Sequence, residues 1–295
     1  MVVKAIKGKC LVCENESLEI LTRMVSAYSP QLLRTVVICK KCGHIQIHPL
    51  FGETEYSKIN AKFFGRKYLA AGNLNPDNFK KINRLDKRLS SYLKPGLKVL
   101  DVGAGEGWAM NYFQKKRCHY FAIEPIDRLA ESLKNRGCRI IGKSLFEDYP
   151  EFEQYFDTFD IVIFRHALEH MLNPANALKR LKCFLKEESL LYLVVPNAST
   201  FSVKKGFRTS FLRPVHISYF CEGNLVRLAE SVELSVVTVQ SDSEIFVLLR
   251  RGEEKTQANH NYYTTQKDLF KRIEQETLMK DTFNSIKIIK RRIFH

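Results

Sequence analysis

The chain has 295 residues, 45% of them hydrophobic, and a formal net charge of +15 at pH 7. This is enough for one large or two modest domains with buried cores, and no apolar run is long enough to span a membrane. The opening stretch MVVKAIKGKC is too poor in apolar residues for a secretory signal. We therefore expect a cytoplasmic protein whose eight cysteines form no disulfides.

Residues 1–50 are predicted to form a small zinc-binding module with strands near 18–25 and 34–39. The predicted ligands lie in two C-x-x-C pairs: Cys10, Cys13, Cys39 and Cys42. Four thiolates at this spacing suit tetrahedral zinc, and Gly43 suits a tight knuckle after the second pair. No open coordination position is apparent, so the zinc would be structural. The alternatives are four free thiols or a redox dithiol, although neither pair opens a βαβ unit.

After an aromatic, glycine-containing linker or lid at residues 51–76, strands and helices alternate through residues 77–250. Helices are predicted at 77–92, 107–116, 126–136, 174–186 and 222–231. Strands are predicted at 97–102, 119–124, 138–142, 159–165 and 189–195, followed by an antiparallel hairpin of 232–240 and 244–250. Such alternation predicts an α/β fold with a doubly wound, mostly parallel sheet covered on both faces. Residues 251–295 are predicted to be a basic, partly helical tail.

The stretch VLDVGAGEGWAM, residues 99–110, predicts a strand that enters a glycine-rich turn and then a helix. This geometry brings backbone N–H groups close to a ligand. Trp108 stands where the dinucleotide fingerprint requires its third glycine, so NAD is the second-ranked ligand, and no GK[ST] follows to make a phosphate-binding P-loop. Asp101 and Glu124 end two successive strands. A carboxylate at the second position can accept hydrogen bonds from both ribose hydroxyls of an adenosine-containing cofactor.

At these residues the chain resembles the class I S-adenosylmethionine (SAM) dependent methyltransferases. The matching stretches are VLDVGAGEGW, FAIEP and FDIVIFRHALEHMLNPANALKRLKCFLKEESLLYLVVPN. The resemblance covers about residues 77–250 and implies a Rossmann-like sheet of seven strands with SAM as cofactor. The module ahead of it and RPVHISYF after the fifth strand are similar to a subgroup that methylates small molecules, including sugars and polyketide-type metabolites.

The resemblance also implies a set of cofactor-binding residues. The methionine side of SAM would be shaped by Asp101 and the turn residues Gly103, Ala104 and Gly105, and Glu124 would hold the ribose. Leu145 and Phe146 would flank the adenine, although Phe146 could instead be a core aromatic. We also assign His166, after the fourth strand of the sheet, to the cofactor site.

Two histidines are candidates for the base that methyl transfer to an oxygen or a carbon acid requires. His216, in RPVHISYF, is favoured slightly over His170, and Tyr219 is assigned to the acceptor pocket. Residues 166–170, HALEH, also match the H-x-x-E-H pattern of a zinc peptidase class. We disfavour a peptidase because Pro174 follows closely and interrupts the required helix. Either histidine could instead only order its loop.

The charge distribution bears on the acceptor, because residues 97–250 are nearly neutral while the flanking segments are basic. Residues 197–215 contain four basic side chains and no acid: Lys204, Lys205, Arg208 and Arg213. We therefore expect an anionic small-molecule acceptor, such as a nucleotide-linked or phosphorylated sugar, and a role in carbohydrate biosynthesis. The alternative is an RNA methyltransferase, or an RNA-binding zinc-ribbon protein on the same fold, because phosphate contacts dominate such binding.

Overall fold

The computed structural model describes residues 8–26, 29–69, 77–147, 150–201, 212–213, 215–256 and 261–293. They form two β-sheets with helices packed around them. Within these ranges, no helix is both long and apolar enough to cross a membrane.

The larger sheet has seven strands in the order β10-β11-β8-β7-β4-β5-β6. They are β4 (Lys98–Val102), β5 (His119–Ile123), β6 (Arg139–Gly142), β7 (Phe159–Arg165), β8 (Leu185–Pro196), β10 (Leu234–Ser241) and β11 (Glu244–Arg251). The first five are parallel, and β11 runs antiparallel between β8 and β10. The predicted mostly parallel, seven-stranded sheet is confirmed, together with its antiparallel hairpin.

Helices cover both faces of this sheet. They are α2 (Asp77–Leu89), α3 (Met110–Lys115), α4 (Asp127–Asn135), α5 (Pro150–Glu153), α6 (Pro174–Phe184) and α7 (Glu222–Glu230). Neighbouring strand residues point to opposite faces. Val99 packs in one core cluster with Leu85 of α2, whereas Leu100 packs in another with Leu181 of α6. The strand between them therefore buries apolar side chains on both of its faces, as a doubly covered parallel sheet requires.

Several predicted boundaries differ from the structure. The helix predicted from residue 107 begins at Met110, because Gly107 adopts a left-handed φ of +70° that a helix cannot contain. The helix predicted over 174–186 ends at Phe184, and β8 starts at the next residue. The segment predicted as a linker or lid contains a helix, α1 (Glu53–Leu69).

The smaller sheet has four antiparallel strands in the order β1-β2-β3-β9. They are β1 (Leu18–Ser26), β2 (Ser29–Cys39), β3 (Ile45–His48) and β9 (Ser218–Tyr219). Strand β9 lies in the segment between β8 and α7, so a connection between elements of the larger sheet's layers completes the smaller sheet. The long helix α8 (Tyr263–Ile293) packs on it, with Phe270 buried in the same cluster as Ile45.

Candidate active site and zinc site

The four predicted zinc ligands lie together beside the smaller sheet. The Sγ atoms of Cys10 and Cys42 are 3.6 Å apart, as are those of Cys13 and Cys39, and all four lie within 4.8 Å of one another. A tetrahedral zinc with Zn–S bonds of about 2.3 Å separates its sulfurs by roughly 3.8 Å. The backbone N–H of Val12 also points at the Cys10 sulfur from 3.4 Å. The donor set therefore fits a structural zinc ion.

Gly43 closes the second knuckle in a conformation that favours glycine. Its φ is +73°, and a Cβ at this position would collide with the backbone of Tyr262 and Tyr263, just ahead of and at the start of α8. The glycine is thus required both by the turn and by the close approach of the C-terminal segment.

The glycine-rich turn lies at the carboxyl end of β4, where ligands bind in sheets of this kind. Gly103, Gly105 and Gly107 all have positive φ, of 75°, 59° and 70°. A Cβ on Gly107 would also collide with the side chain of Leu133 on α4. Gly107 therefore allows the turn to pack closely against α4. Gly103 and Gly105 allow the left-handed backbone conformation at the edge of the sheet where a ligand would bind.

Glu124 and Asp101 occupy the strand ends expected for them, with different surroundings. Glu124 Oε2 accepts a hydrogen bond from Gly105 N at 2.7 Å, and its Oε1 accepts one from Ile126 N at 3.0 Å. A carboxylate offers about four acceptor positions, so capacity remains for ribose hydroxyls. Asp101 is buried below the turn and accepts a hydrogen bond from Tyr120. Burial raises the pKa of Asp101 to about 7 although the Tyr120 bond opposes it.

The remaining residues assigned to the cofactor flank this turn. Ala104 is buried, and its carbonyl accepts the Gly107 N–H at 3.0 Å. Leu145 is buried in the core cluster of the larger sheet, whereas the next residue, Phe146, is 45% exposed. Phe146 is therefore not a core aromatic, and its ring is accessible to a ligand.

A cluster of cations at the end of β7 surrounds Glu244, the first residue of β11. Glu244 accepts hydrogen bonds from Arg84 at 3.0 Å and from Arg165 at 2.9 Å, and its Oε2 lies 3.1 Å from His166 Nε2. Arg88 lies 3.6 Å from the same carboxylate. The Arg165 guanidinium also lies over the ring of Trp108, beside the glycine turn. Of this cluster, sequence reasoning named only His166, because only the fold brings α2, β7 and β11 together.

His170 and His216 also come together, with ring centroids 5.0 Å apart. His170 Nδ1 donates to the carbonyl of Val215 at 2.8 Å, so in the neutral ring Nε2 is the nitrogen that carries the lone pair. Glu169, which sequence reasoning missed although it stands inside the HALEH motif, is buried with its Oε1 3.8 Å from His170 Nε2. Ligand atoms of these three residues lie within 4.8 Å of one another. They form either an acid–base cluster or a set of metal ligands.

The peptidase interpretation of HALEH is excluded by the local structure. His166 ends the strand region with a left-handed φ of 52°, and residues Leu168–His170 form a single 3₁₀ turn. Asn173 then caps a separate helix, α6, by accepting the Asn176 N–H at 2.9 Å. The two histidines are therefore not on one uninterrupted helix, as a zinc peptidase of this kind requires.

The predicted acceptor residues are only partly within the described ranges. Tyr219 is buried on β9, with its ring centroid 6.1 Å from that of His216. Arg213 is half-buried, and its carbonyl accepts the His216 N–H at 3.0 Å. Lys204, Lys205 and Arg208 lie outside the described residues.

Comparisons with known proteins agree with this fold. A family model described as a methyltransferase domain matches residues 74–239. The chain is 29% identical over 119 residues to (S)-tetrahydroprotoberberine N-methyltransferase of Eschscholzia californica, covering 37% of this chain and 33% of that enzyme. It is 28% identical over 107 residues to probable (S)-tetrahydroprotoberberine N-methyltransferase 2 of Papaver bracteatum, covering 34% and 29%. The matched stretch thus spans about a third of the length of each plant protein.

Among solved structures, the chain is similar to 1,6-didemethyltoxoflavin-N1-methyltransferase of Burkholderia thailandensis, determined with 1,6-didemethyltoxoflavin and S-adenosylhomocysteine bound. The TM-score is 0.52 at 16% identity, and the match covers 78% of this chain and 99% of that one. This likeness concerns the fold. Together with the family model, it shows that the chain belongs to the methyltransferase-domain family and has the class I fold of SAM-dependent methyltransferases.

Proposed function

We propose that the chain is a SAM-dependent methyltransferase that methylates a small, anionic acceptor, with His216 as the general base. The observation that carries this proposal is the pairing of the buried His216 with the half-buried His170 beside Glu169, in a turn that follows β7 as the glycine turn follows β4. Methyl transfer depends chiefly on in-line alignment of donor and acceptor, together with removal of one proton. His216 would meet the second requirement.

The cofactor would lie across the carboxyl ends of β4 and β5. Gly103 and Gly105 would face its methionine portion, Glu124 its ribose and Phe146 its adenine. Bound SAM supplies an electrophilic methyl group on its sulfonium. Arg84 and Arg165 support the site further, because two guanidinium groups share the single carboxylate of Glu244. The net positive charge that is left after this pairing would attract the carboxylate of SAM.

The surroundings of His216 keep its ring in the neutral form that a general base needs before the reaction. Its burial, together with the nearby His170 and Arg213, holds the pKa of His216 well below its ordinary value. The ring is therefore neutral before the reaction. Once it has taken a proton from the acceptor, the resulting imidazolium would be attracted by the carboxylate of Glu169, which lies within 4.8 Å. His170 would then orient the pair through its bond to Val215.

The acceptor is proposed to be an anion that meets Lys204, Lys205, Arg208 and Arg213 on its way to His216. The four basic residues in a segment without acids support this choice. The names of the plant relatives specify methylation of a nitrogen, so amines belong in the same search. Zinc held by the four cysteines would stabilise the smaller sheet rather than take part in the reaction.

A transfer assay with methyl-labelled SAM tests this function. The acceptor panel contains nucleotide-linked sugars, phosphorylated sugars, aromatic amines and total RNA, and the controls are the His216→Ala and Glu124→Ala variants. Label that appears in an anionic small molecule, and that depends on both residues, supports the proposal. Label in RNA alone, or tighter calorimetric binding of NAD than of SAM, overturns it.

A further inference from the structure

We infer that His44 and Gln46 are positioning residues that couple the zinc knuckles to strand β9 and so to the base, His216. This inference rests on the proposed function, because it concerns the placement of the proposed base. It assigns the zinc-binding module a part in building the acceptor site, beyond its own stability.

Strand β9 depends on β3 for its position and register. Strand β9 has two residues, and within the described chain its only sheet neighbour is β3, through the pairs Ile45–Tyr219 and Gln46–Ser218. Ile47 N also donates to the carbonyl of Ile217 at 3.0 Å. So short a strand cannot hold its own register, and His216 lies two residues before it. The position of the base therefore follows the position of β3.

Hydrogen bonds connect the segment around His216 to the turn that carries Glu169 and His170. Ile217 N donates to the carbonyl of Glu169 at 2.7 Å. The carbonyl of Val215 accepts hydrogen bonds from His170 Nδ1 at 2.8 Å and from the hydroxyl of Tyr56 at 2.6 Å. The backbone on both sides of His216 is thus held between β3 and the turn that carries Glu169 and His170. A shift of β3 would change the geometry of the whole cluster.

Strand β3 is attached to the cysteine knuckles, which are the two C-x-x-C pairs at residues 10–13 and 39–42. His44 follows the second C-x-x-C pair, and its carbonyl accepts the Cys39 N–H at 2.9 Å. Its fully buried ring contacts β9 and the residue after it, because Nε2 lies 3.3 Å from Ser218 Oγ and the ring centroid lies 5.1 Å from that of Phe220. The backbone of His44 therefore bonds to the second cysteine knuckle, while its side chain contacts β9.

Gln46 makes the corresponding connection to the first knuckle. Its Oε1 accepts the Leu11 N–H at 2.8 Å, and its Nε2 donates to the carbonyl of Lys9 at 3.1 Å. Leu11 lies between Cys10 and Cys13, while the backbone of Gln46 is paired with Ser218. Order imposed by metal at the knuckles is therefore passed to β9 through two buried residues, His44 and Gln46.

The experiment compares wild type with His44→Ala, His44→Gln and Gln46→Leu. The Gln variant of His44 keeps a donor nitrogen near Ser218. Glu19→Gln is the matched control, because Glu19 lies on β1 at the opposite edge of the same sheet and pairs with Lys267 of α8 at 2.7 Å. Four quantities are measured: zinc content, SAM affinity, kcat for the acceptor, and hydrogen-exchange protection of residues 215–220.

We expect His44→Ala and Gln46→Leu to bind SAM with wild-type affinity. Hydrogen-exchange protection of residues 215–220 should fall at least tenfold in both variants, and kcat should fall in parallel. His44→Gln should recover part of both, and Glu19→Gln should change neither. Chelating zinc from the wild-type chain should reproduce the loss of protection, which keeps the test valid if a variant fails to fold. Unchanged protection after verified loss of zinc overturns the inference, as does a loss of SAM binding that accompanies the loss of protection. Hydrogen-exchange protection is measured without any substrate. A wild-type chain that transfers no methyl group would therefore contradict the proposed function, while the protection data would still decide whether the zinc knuckles are coupled to β9.

Discussion

Glu124 Oε2 accepts a hydrogen bond from the backbone N–H of Gly105 at 2.7 Å, which joins the end of β5 to the glycine turn after β4. The side chain assigned to the ribose therefore already holds the backbone assigned to the methionine portion of SAM. Cofactor affinity and the conformation of the turn should then change together when this carboxylate is altered.

Glu124→Ala should weaken SAM binding, because a charged acceptor is lost and the Gly105 amide loses its partner. At about 1.5–3 kcal/mol for a hydrogen bond to a charged group, we expect SAM affinity to fall by roughly 10- to 150-fold. Fluorescence of Trp108, the single tryptophan, follows binding because its ring lies close to the turn. Glu131→Ala, an exposed change on α4, is the control. Equal affinities for both variants would contradict the assignment.

His216→Ala should lower kcat by roughly 10²- to 10⁴-fold with little change in SAM affinity, as expected for loss of a general base. His119→Ala, at the exposed opposite end of a parallel strand, should have no effect. Burial and the neighbouring His170 and Arg213 lower the pKa of His216. The wild-type kcat should therefore hold as pH falls through the ordinary histidine value of about 6.5 and decline only below it. A decline centred above pH 7 would argue against His216 as the base.

Glu244→Gln should destabilise the fold, because three arginines then lie together without their carboxylate. Burial alone would raise the pKa of Glu244, but the His166 hydrogen bond and the charges of Arg165 and Arg84 outweigh it and hold the pKa well below its usual range. We expect a loss of about 1.5–3 kcal/mol at neutral pH. A carboxyl whose pKa is lowered by folding stabilises above its unfolded value of about 4.3.

The difference between wild type and Glu244→Gln should consequently shrink as pH falls below that value. Denaturant unfolding at several pH values measures it. Glu254→Gln, whose carboxylate is exposed and pairs only with Arg250 among the contacts described, should unfold like wild type. A pH-independent difference between the Glu244 variant and wild type would mean that lost packing, rather than lost charge, is responsible.

The purified chain should contain one zinc ion, and Cys13→Ser should remove it while the seven-stranded sheet remains folded on its own apolar strands. Metal analysis and circular dichroism measure the two effects. Finding no zinc in protein prepared without chelator would refute the site. A second bound metal that is lost in His216→Ala would mean that Glu169, His170 and His216 ligate an ion, and would contradict the role of His216 as a free base.

Arg213→Ala and Arg208→Ala should raise the acceptor KM and leave SAM affinity unchanged, because they remove binding that is equal in ground and transition states. The wild-type KM should also rise with salt, as screening weakens the attraction of an anion. Lys134→Ala, an exposed change on α4, controls for net charge. A KM indifferent to both arginines and to salt would exclude an anionic acceptor while leaving the methyltransferase assignment in place.

The parts of the molecule that could be predicted from sequence depend on local pattern. Glu124 is predictable because it ends an apolar strand, and the four cysteines are predictable because their spacing alone specifies a ligand set. Strand β3 has only four residues, too few for a recognisable alternation, and its pairing with β9 joins distant segments. Glu244 lies in the hairpin region at the start of β11, and its arginine partners on α2 and β7 become neighbours only when the sheet order is known.

The completion of the smaller sheet also has a consequence for folding during synthesis. His44 and Ser218 meet across 174 residues of sequence. At translation rates of about 5–20 residues per second, the edge of β3 stays unpaired for roughly 10–35 s until β9 has been synthesised. An open edge strand is a site of pairing with other chains. Early metal capture by the cysteines would hold the nascent sheet in register through that interval, so zinc supply during expression should affect the yield of unaggregated protein more than the stability of protein already folded.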